Sequence, residues 1–163
     1  MKRIMIIGCP GSGKSTFSRE LHKITGIPLF HLDMMYWNAD KTTVDRDVFI
    51  KRLSEVVKKD SWIIDGNYNS TIELRLQYCD TVVFLDYPLD VCLAGVKERM
   101  GKARSDIPWI ETEEDAEFIE FIKNYNSNNR PEVLELLNKY THKNIYIFEN
   151  RIQTDEFLDK IST

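Results

Sequence analysis

The chain has 163 residues, 22 basic and 26 acidic side chains (formal charge −4), 42% hydrophobic and 29% charged residues. That size and balance fit one globular domain with a sizeable core, and they argue against a broad nucleic-acid surface, which needs a basic stripe to release counterions. No run approaches the ~20 apolar residues of a membrane span. Cys9, Cys79 and Cys92 lie far apart without a C-x-x-C pairing, so neither a disulfide framework nor a zinc site follows. With no signal-peptide layout before the first strand, a reducing cytoplasmic setting is expected.

Arg3 to Gly8 reads as a strand, and its apolar run Ile4 to Ile7 leads into Gly8-Cys9-Pro10-Gly11-Ser12-Gly13-Lys14-Ser15-Thr16. This is a G-x-x-x-x-G-K-S phosphate-loop pattern between a strand and a helix, the context that such a motif requires. Glycines let the backbone wrap a phosphate chain and aim its N–H groups inward. Lys14 reaches toward β- and γ-phosphates, the Ser15 hydroxyl is a Mg²⁺ ligand, and the helix opening at Lys14 adds its positive dipole end.

That helix runs to Ile24 and stops near Gly26. Ile27 to Leu32 is a short strand, and Asp45 to Lys59 has helical apolar spacing. Ser61 to Asp65 and Thr81 to Asp86 are two further strands, each closing on an aspartate. Leu89 to Met100 reads as a helix that starts beside Pro88. From Gly101 to Asp115 the periodicity lapses into a charged segment that suits a lid over a phosphate site. Helical spacing resumes at Phe118 to Tyr125 and again after Pro131. Asn144 to Phe148 makes a fifth strand, and Phe157, Leu158 and Ile161 line a closing helix. Strands alternating with helices predict an α/β fold, three layers around a parallel sheet, in a single domain over 1–163 with a lid at about 101–115.

In such sheets ligands bind at the carboxyl ends of the strands. Asp65 is placed to hold Mg²⁺ beside Ser15, the alternative being a turn before Gly66. Asp33 follows a different strand and faces the acceptor side, either as the base for a substrate hydroxyl or as a plain loop residue. Tyr36 and Trp37 wall an acceptor pocket on this reading, and Asp86 has a structural, helix-capping role. His31, His22 and His142 stand alone and are not read as ligands. Arg99, Arg104 and Arg130 bracket the lid as phosphate-facing cations, and Arg75 lies within reach of an acceptor.

These residues resemble the topology-modulation proteins, a branch of the adenylate-kinase-like P-loop kinases. His31-Leu32-Asp33 with Tyr36-Trp37 is similar to that family's H-L-D-x-x-Y-W block, and Trp62-Ile63-Ile64-Asp65-Gly66-Asn67-Tyr68 to its W-I-I-D-G-N-Y block. Arg104-Ser105-Asp106-Ile107 resembles the lid's R-P-D-M, with Ser105 in place of the proline, and Asn129-Arg130-Pro131 its S-R-P. The resemblance implies a five-stranded P-loop NTPase sheet of order 2-3-1-4-5 and ATP with Mg²⁺ as donor. It further implies Arg151 by the nucleotide, and Asn67 and Tyr68 with Asp33, Tyr36, Trp37 and Arg75 around the acceptor. The expected activity is ATP-dependent phosphotransfer to a small molecule. A hydroxyl acceptor follows if Asp33 is a base, and a nucleotide or other phosphate follows if Arg75 and Arg46 grip an anion. The competing reading is an ATP-binding regulator of gene expression or DNA topology that works through a protein partner.

Overall fold

Strands that are apolar on both faces need cover on both faces, and the arrangement of the chain supplies it. The computed structural model describes residues 1–163. Five parallel strands, β1 (Arg3–Gly8), β2 (Leu29–His31), β3 (Trp62–Asp65), β4 (Thr81–Leu85) and β5 (Asn144–Phe148), lie in the order β2-β3-β1-β4-β5. Between and after them run α1 (Lys14–Thr25), α2 (Leu32–Tyr36), α3 (Arg46–Val57), α4 (Asn69–Tyr78) and α5 (Leu89–Arg99). The chain continues through α6 (Ala116–Lys123), α7 (Tyr125–Asn128), α8 (Arg130–Lys139) and α9 (Arg151–Ser162).

Side chains alternate across a strand, so β1 feeds two cores. Met5 and Ile7 join α3, α4 and α8 on one face, through Phe49, Leu53, Ile72, Leu76, Val133 and Leu137. Ile4 and Ile6 join α1, α5, α6 and α7 on the other, through Phe17, Leu21, Cys92, Val96, Ile122 and Tyr125. All four β1 residues are fully buried. Truncating any of them to alanine would cost about 2–5 kcal/mol. No helix is long and apolar enough to cross a membrane.

The strand order matches the expectation, with three local differences. The second strand is shorter than the apolar run, because α2 starts at Leu32 directly after His31; Asp33 therefore sits in a helical turn, not in a loop. The helix α4 has no amphipathic stripe to announce it, since its buried face carries Thr71 and Arg75 beside Ile72 and Leu76. Asp86 caps nothing: α5 begins at Leu89 without a side-chain cap, and Asp86 instead holds Arg130. Residues 101–115 form no helix or strand, yet they are seated and not simply solvated. Gly101 N–H donates to Glu111 O at 2.5 Å, and Asp106 and Ile107 are buried.

Candidate active site

The register that aligns His31 with Asp65, and Gly8 with Leu85, brings the carboxyl ends of four strands to one level. Above them opens a cleft of about 1350 Å³. Its floor is the 8–16 loop. Gly11 (φ 84°) crosses so close to α5 that a Cβ on Gly95 would lie 2.1 Å from Gly11 O, so neither position has room for a side chain. Gly13, at φ 91°, takes the left-handed N-cap position of α1. No side chain caps α1, which leaves its first-turn N–H groups to the cleft. Asn67 supports the loop from β3, its Oδ1 accepting from Gly8 N–H at 3.1 Å.

Lys14 lies in the loop with its ammonium donating to Cys9 O at 3.2 Å. Burial pulls its pKa below the ordinary lysine range, with Asp65 the largest opposing charge. A half-buried cation short of solvation favours an entering anion. The Cys9 thiol is pushed up beside Cys92 and by burial, which leaves it protonated and unreactive.

On the acceptor side, the Asp33 carboxylate accepts from the Tyr68 hydroxyl and borders the cleft. Burial raises its pKa, while the Tyr68 hydrogen bond and the Lys14 charge restrain the rise. Tyr68 itself has φ 43°, a strained backbone for a tyrosine, and its ring packs on Tyr36 and Phe49. Trp37 lines the cleft and meets Trp109 of the 101–115 segment edge to face, centroids 5.4 Å apart.

Several expected site residues stand elsewhere. Tyr36 does not wall the cleft; it packs beneath it on Phe49 and Tyr68, with centroids 5.1 Å away in both cases. Arg75 is fully buried and does not line the cleft. Its guanidinium donates to Gly66 O at 2.8 Å, to Asn67 O, and to Thr71 Oγ1 at 3.2 Å, which fixes the turn that carries Asp65 and Asn67. Arg46 bonds Ser70 at 3.2 Å, outside the cleft. Arg130 closes its fork on Asp86, with two contacts of 2.8 Å, and leaves the cleft wall to Asn129. Arg99, Arg104 and Arg151 do border the cleft, as do Pro10, Ser15, Thr16, Asp65, Asn67 and Tyr68. Ser12 is buried within the loop, its N–H donating to Cys9 O at 3.1 Å, and it does not line the cleft.

Four contributors escaped the sequence reading. His31 is not alone: its Nδ1 lies 2.9 and 2.8 Å from the two Asp65 carboxylate oxygens. Burial lowers the His31 pKa, but the bond to Asp65 and the charges of Asp65 and Asp106 outweigh that and hold it above the ordinary histidine range. Glu111 lies 3.0 Å from Arg99 Nε and 2.5 Å from Arg104 Nη1. Arg19 reaches across the loop to Ser105, and Trp109 closes on Trp37. For Arg19 a signal existed, since it falls one helical turn beyond Ser15.

A triphosphate fits this site: α1 is uncapped, the half-buried Lys14 borders the cleft, and Arg99 Nε–H is buried without an aligned acceptor. Mg²⁺ fits as well. The Ser15 hydroxyl and Asp65 carboxylate are hard oxygen donors on one cleft, and no cluster of three acidic, histidine or cysteine ligands forms an all-protein cage. Mg²⁺ is commonly held by one or two protein oxygens together with phosphates and water.

Adenylate kinases of Thermotoga petrophila and Thermotoga maritima are each 30% identical to the chain over 97 residues, 58% of this chain and 43% of theirs. The chain thus spans less than half the length of the curated relatives it matches. No family model matches it. Among solved structures, shikimate kinase from Bacteroides thetaiotaomicron superposes with a TM-score of 0.66 at 20% identity, covering 98% of this chain and 96% of that one. Deoxyadenosine kinase from M. mycoides superposes over the full length of both chains with a TM-score of 0.55 at 18% identity. The fold is that of the P-loop kinases.

Proposed function

We propose that the protein transfers the γ-phosphoryl group of ATP to a hydroxyl of a small-molecule acceptor. One observation carries the choice of acceptor: Asp33 faces the cleft with a raised pKa, whereas Arg75 is buried and Arg46 lies outside it. Neither of the two arginines expected to grip an acceptor phosphate lines the cleft, which supports the hydroxyl reading. The adenylate kinase likeness and the kinase fold support phosphotransfer, and the H-L-D and W-I-I-D-G-N-Y blocks place the chain, on this proposal, in the topology-modulation branch.

The chemistry follows from placement. Loop amides and Lys14 hold the β- and γ-phosphates, and Arg151 flanks the loop where a Cβ on Gly13 would lie 3.2 Å from its Nη2. Asp33 accepts the proton of the acceptor hydroxyl as its oxygen bonds to the γ-phosphorus and the bond to the β-phosphate oxygen breaks, releasing ADP. Tyr68 holds the carboxylate ready by donating to it. Ser15 and Asp65 would hold Mg²⁺, which neutralises charge on the β- and γ-oxygens when bound. Arg99 and Arg104, carried by the proposed lid and its hinge, would meet the charge of the moving group.

The test is Mg·ATP turnover with panels of nucleosides, polyols and hydroxy acids against nucleoside monophosphates. Turnover stimulated by a hydroxyl acceptor and lost in Lys14→Ala supports the proposal. Stimulation confined to monophosphates overturns the acceptor assignment. ATP binding without stimulation by any acceptor favours the regulator.

A further inference from the structure

Two of the four arginines that border the cleft are matched by carboxylates. Arg104 is held by Asp106 and Glu111, and Arg99 lies against Glu111. Arg19 differs. It has no carboxylate partner, and its fork is spread over three hydroxyls: Nη1 to Ser15 Oγ at 2.8 Å and to Ser105 Oγ at 3.1 Å, and Nη2 to Thr16 Oγ1 at 3.3 Å. Two of those hydroxyls belong to the phosphate loop and the third to the 101–115 segment. No other hydrogen bond joins residues 8–19 to residues 101–115.

A neutral hydroxyl offers a guanidinium a hydrogen bond but no opposing charge, whereas an anion offers both and can take the fork bidentately. An anion arriving beside Ser15 is therefore a better partner for Arg19 than those it now has. The planar fork lets one side chain hold loop and segment together, which a point-charge ammonium would do poorly. We propose that Arg19 is a positioning residue that tethers the lid to the phosphate loop through Ser105 and exchanges that tether for a polyphosphate. The lid thus senses whether the loop is filled. The exchange rests on the phosphate site proposed above, whereas the tether does not.

Hydrogen exchange of the 101–115 amides in the free protein reads the tether directly. Arg19→Met and Ser105→Ala should each speed exchange there about three- to tenfold, the scale of one ordinary hydrogen bond, since the Arg19–Ser105 contact is exposed to solvent. The double variant should go no further than either alone. Arg19→Lys separates charge from geometry: it should bind inorganic tripolyphosphate within about threefold of wild type while its lid stays as loose as in Arg19→Met. In the wild-type protein tripolyphosphate should change lid exchange, and in Arg19→Met it should not. Unchanged lid exchange in both Arg19→Met and Ser105→Ala overturns the tether, as does full additivity. The Ser105 side chain is exposed, so its variant is not confounded by misfolding. Failure of wild type to bind tripolyphosphate overturns the phosphate site and the exchange, while lid exchange in the free protein still decides the tether.

Discussion

His31 and Asp65 are register partners on adjacent strands, and the imidazole Nδ1 lies within 2.9 Å of both carboxylate oxygens. The pair is almost closed to solvent, with side-chain exposures of 11% and 7%. The contact with His31 fixes the orientation of a carboxylate that borders the cleft together with Ser15. Groups that orient a metal ligand are commonly worth 10–100-fold in metal affinity. His31→Ala should therefore weaken Mg²⁺ binding to the nucleotide-loaded protein about tenfold, as read by calorimetric titration, and destabilise the fold by about 1–3 kcal/mol because a buried acceptor loses its donor. Unchanged Mg²⁺ affinity would show that Asp65 serves the fold alone.

Asp33 sets a pH dependence of the opposite sense to most native carboxylates. Its folded pKa is raised, chiefly by burial, above the unfolded value near 3.8. Below that value it is protonated in both states and contributes nothing. As pH climbs through the unfolded and then the folded pKa, the unfolded chain ionises first and stability is lost. Asp33→Asn removes this cost, so the variant should gain thermal stability at neutral pH and gain none below about pH 3.8, while losing phosphoryl transfer. Equal melting shifts at acid and neutral pH would refute the assignment. Tyr68→Phe removes the hydrogen bond that restrains the rise, and the acid limb of the rate profile should move to higher pH.

What could be read from the chain alone divides by distance along it. The phosphate loop and the strands are legible because their signals are local: a glycine pattern, and apolar runs ending in Gly8, Asp65 and Asp86. Helix α4 is not, because Thr71 and Arg75 face inward and erase the apolar stripe. The same burial misdirected the reading of Arg75, since a sequence gives a charge but not which way it points. Asp86 with Arg130, 44 residues apart, and His31 with Asp65, 34 apart, become partners only through strand order and register. Their roles were therefore assigned singly, as a cap, a lid cation, a lone histidine and a turn or metal residue.

Gly95 tests how tightly the loop is built. In an ordinary helix, alanine for glycine gains about 1 kcal/mol. Here the added Cβ would meet Gly11 O at 2.1 Å, a contact with backbone that no rotamer relieves. Overpacking of this kind costs about 1–3 kcal/mol and sometimes more, so the clash outweighs the helix gain. At a net loss of about 1–2 kcal/mol, Gly95→Ala should lower Tm by roughly 2–8 °C in a chain of this size and, because Gly11 must move, weaken ATP binding in parallel. A stabilised variant with intact ATP affinity would mean that the loop and α5 are not in contact in solution.

On the proposed function, Glu111 is the carboxylate that entering phosphates would displace. Its Oε1 lies 3.0 Å from Arg99 Nε and 2.5 Å from Arg104 Nη1, and both guanidinium groups border the cleft. The hold on Arg99 is incomplete, since that Nε–H makes an ion pair without an aligned hydrogen bond. Burial already lowers the Arg99 pKa, and the neighbouring Arg104 lowers it further. Glu111→Gln keeps the shape and removes the charge. It also leaves the Gly101 N–H to Glu111 O contact at the base of the segment, which involves backbone alone. Freed of their anion, the two arginines should raise ATP affinity about three- to tenfold, at a cost of about 1 kcal/mol in stability from their mutual repulsion. The gain should shrink as ionic strength rises past 0.1 M, where the Debye length falls below about 10 Å, because these groups are only partly shielded from solvent. Equal ATP affinity in Glu111→Gln and wild type at low salt would place the phosphates out of reach of both arginines and leave charge neutralisation to Lys14 and the loop.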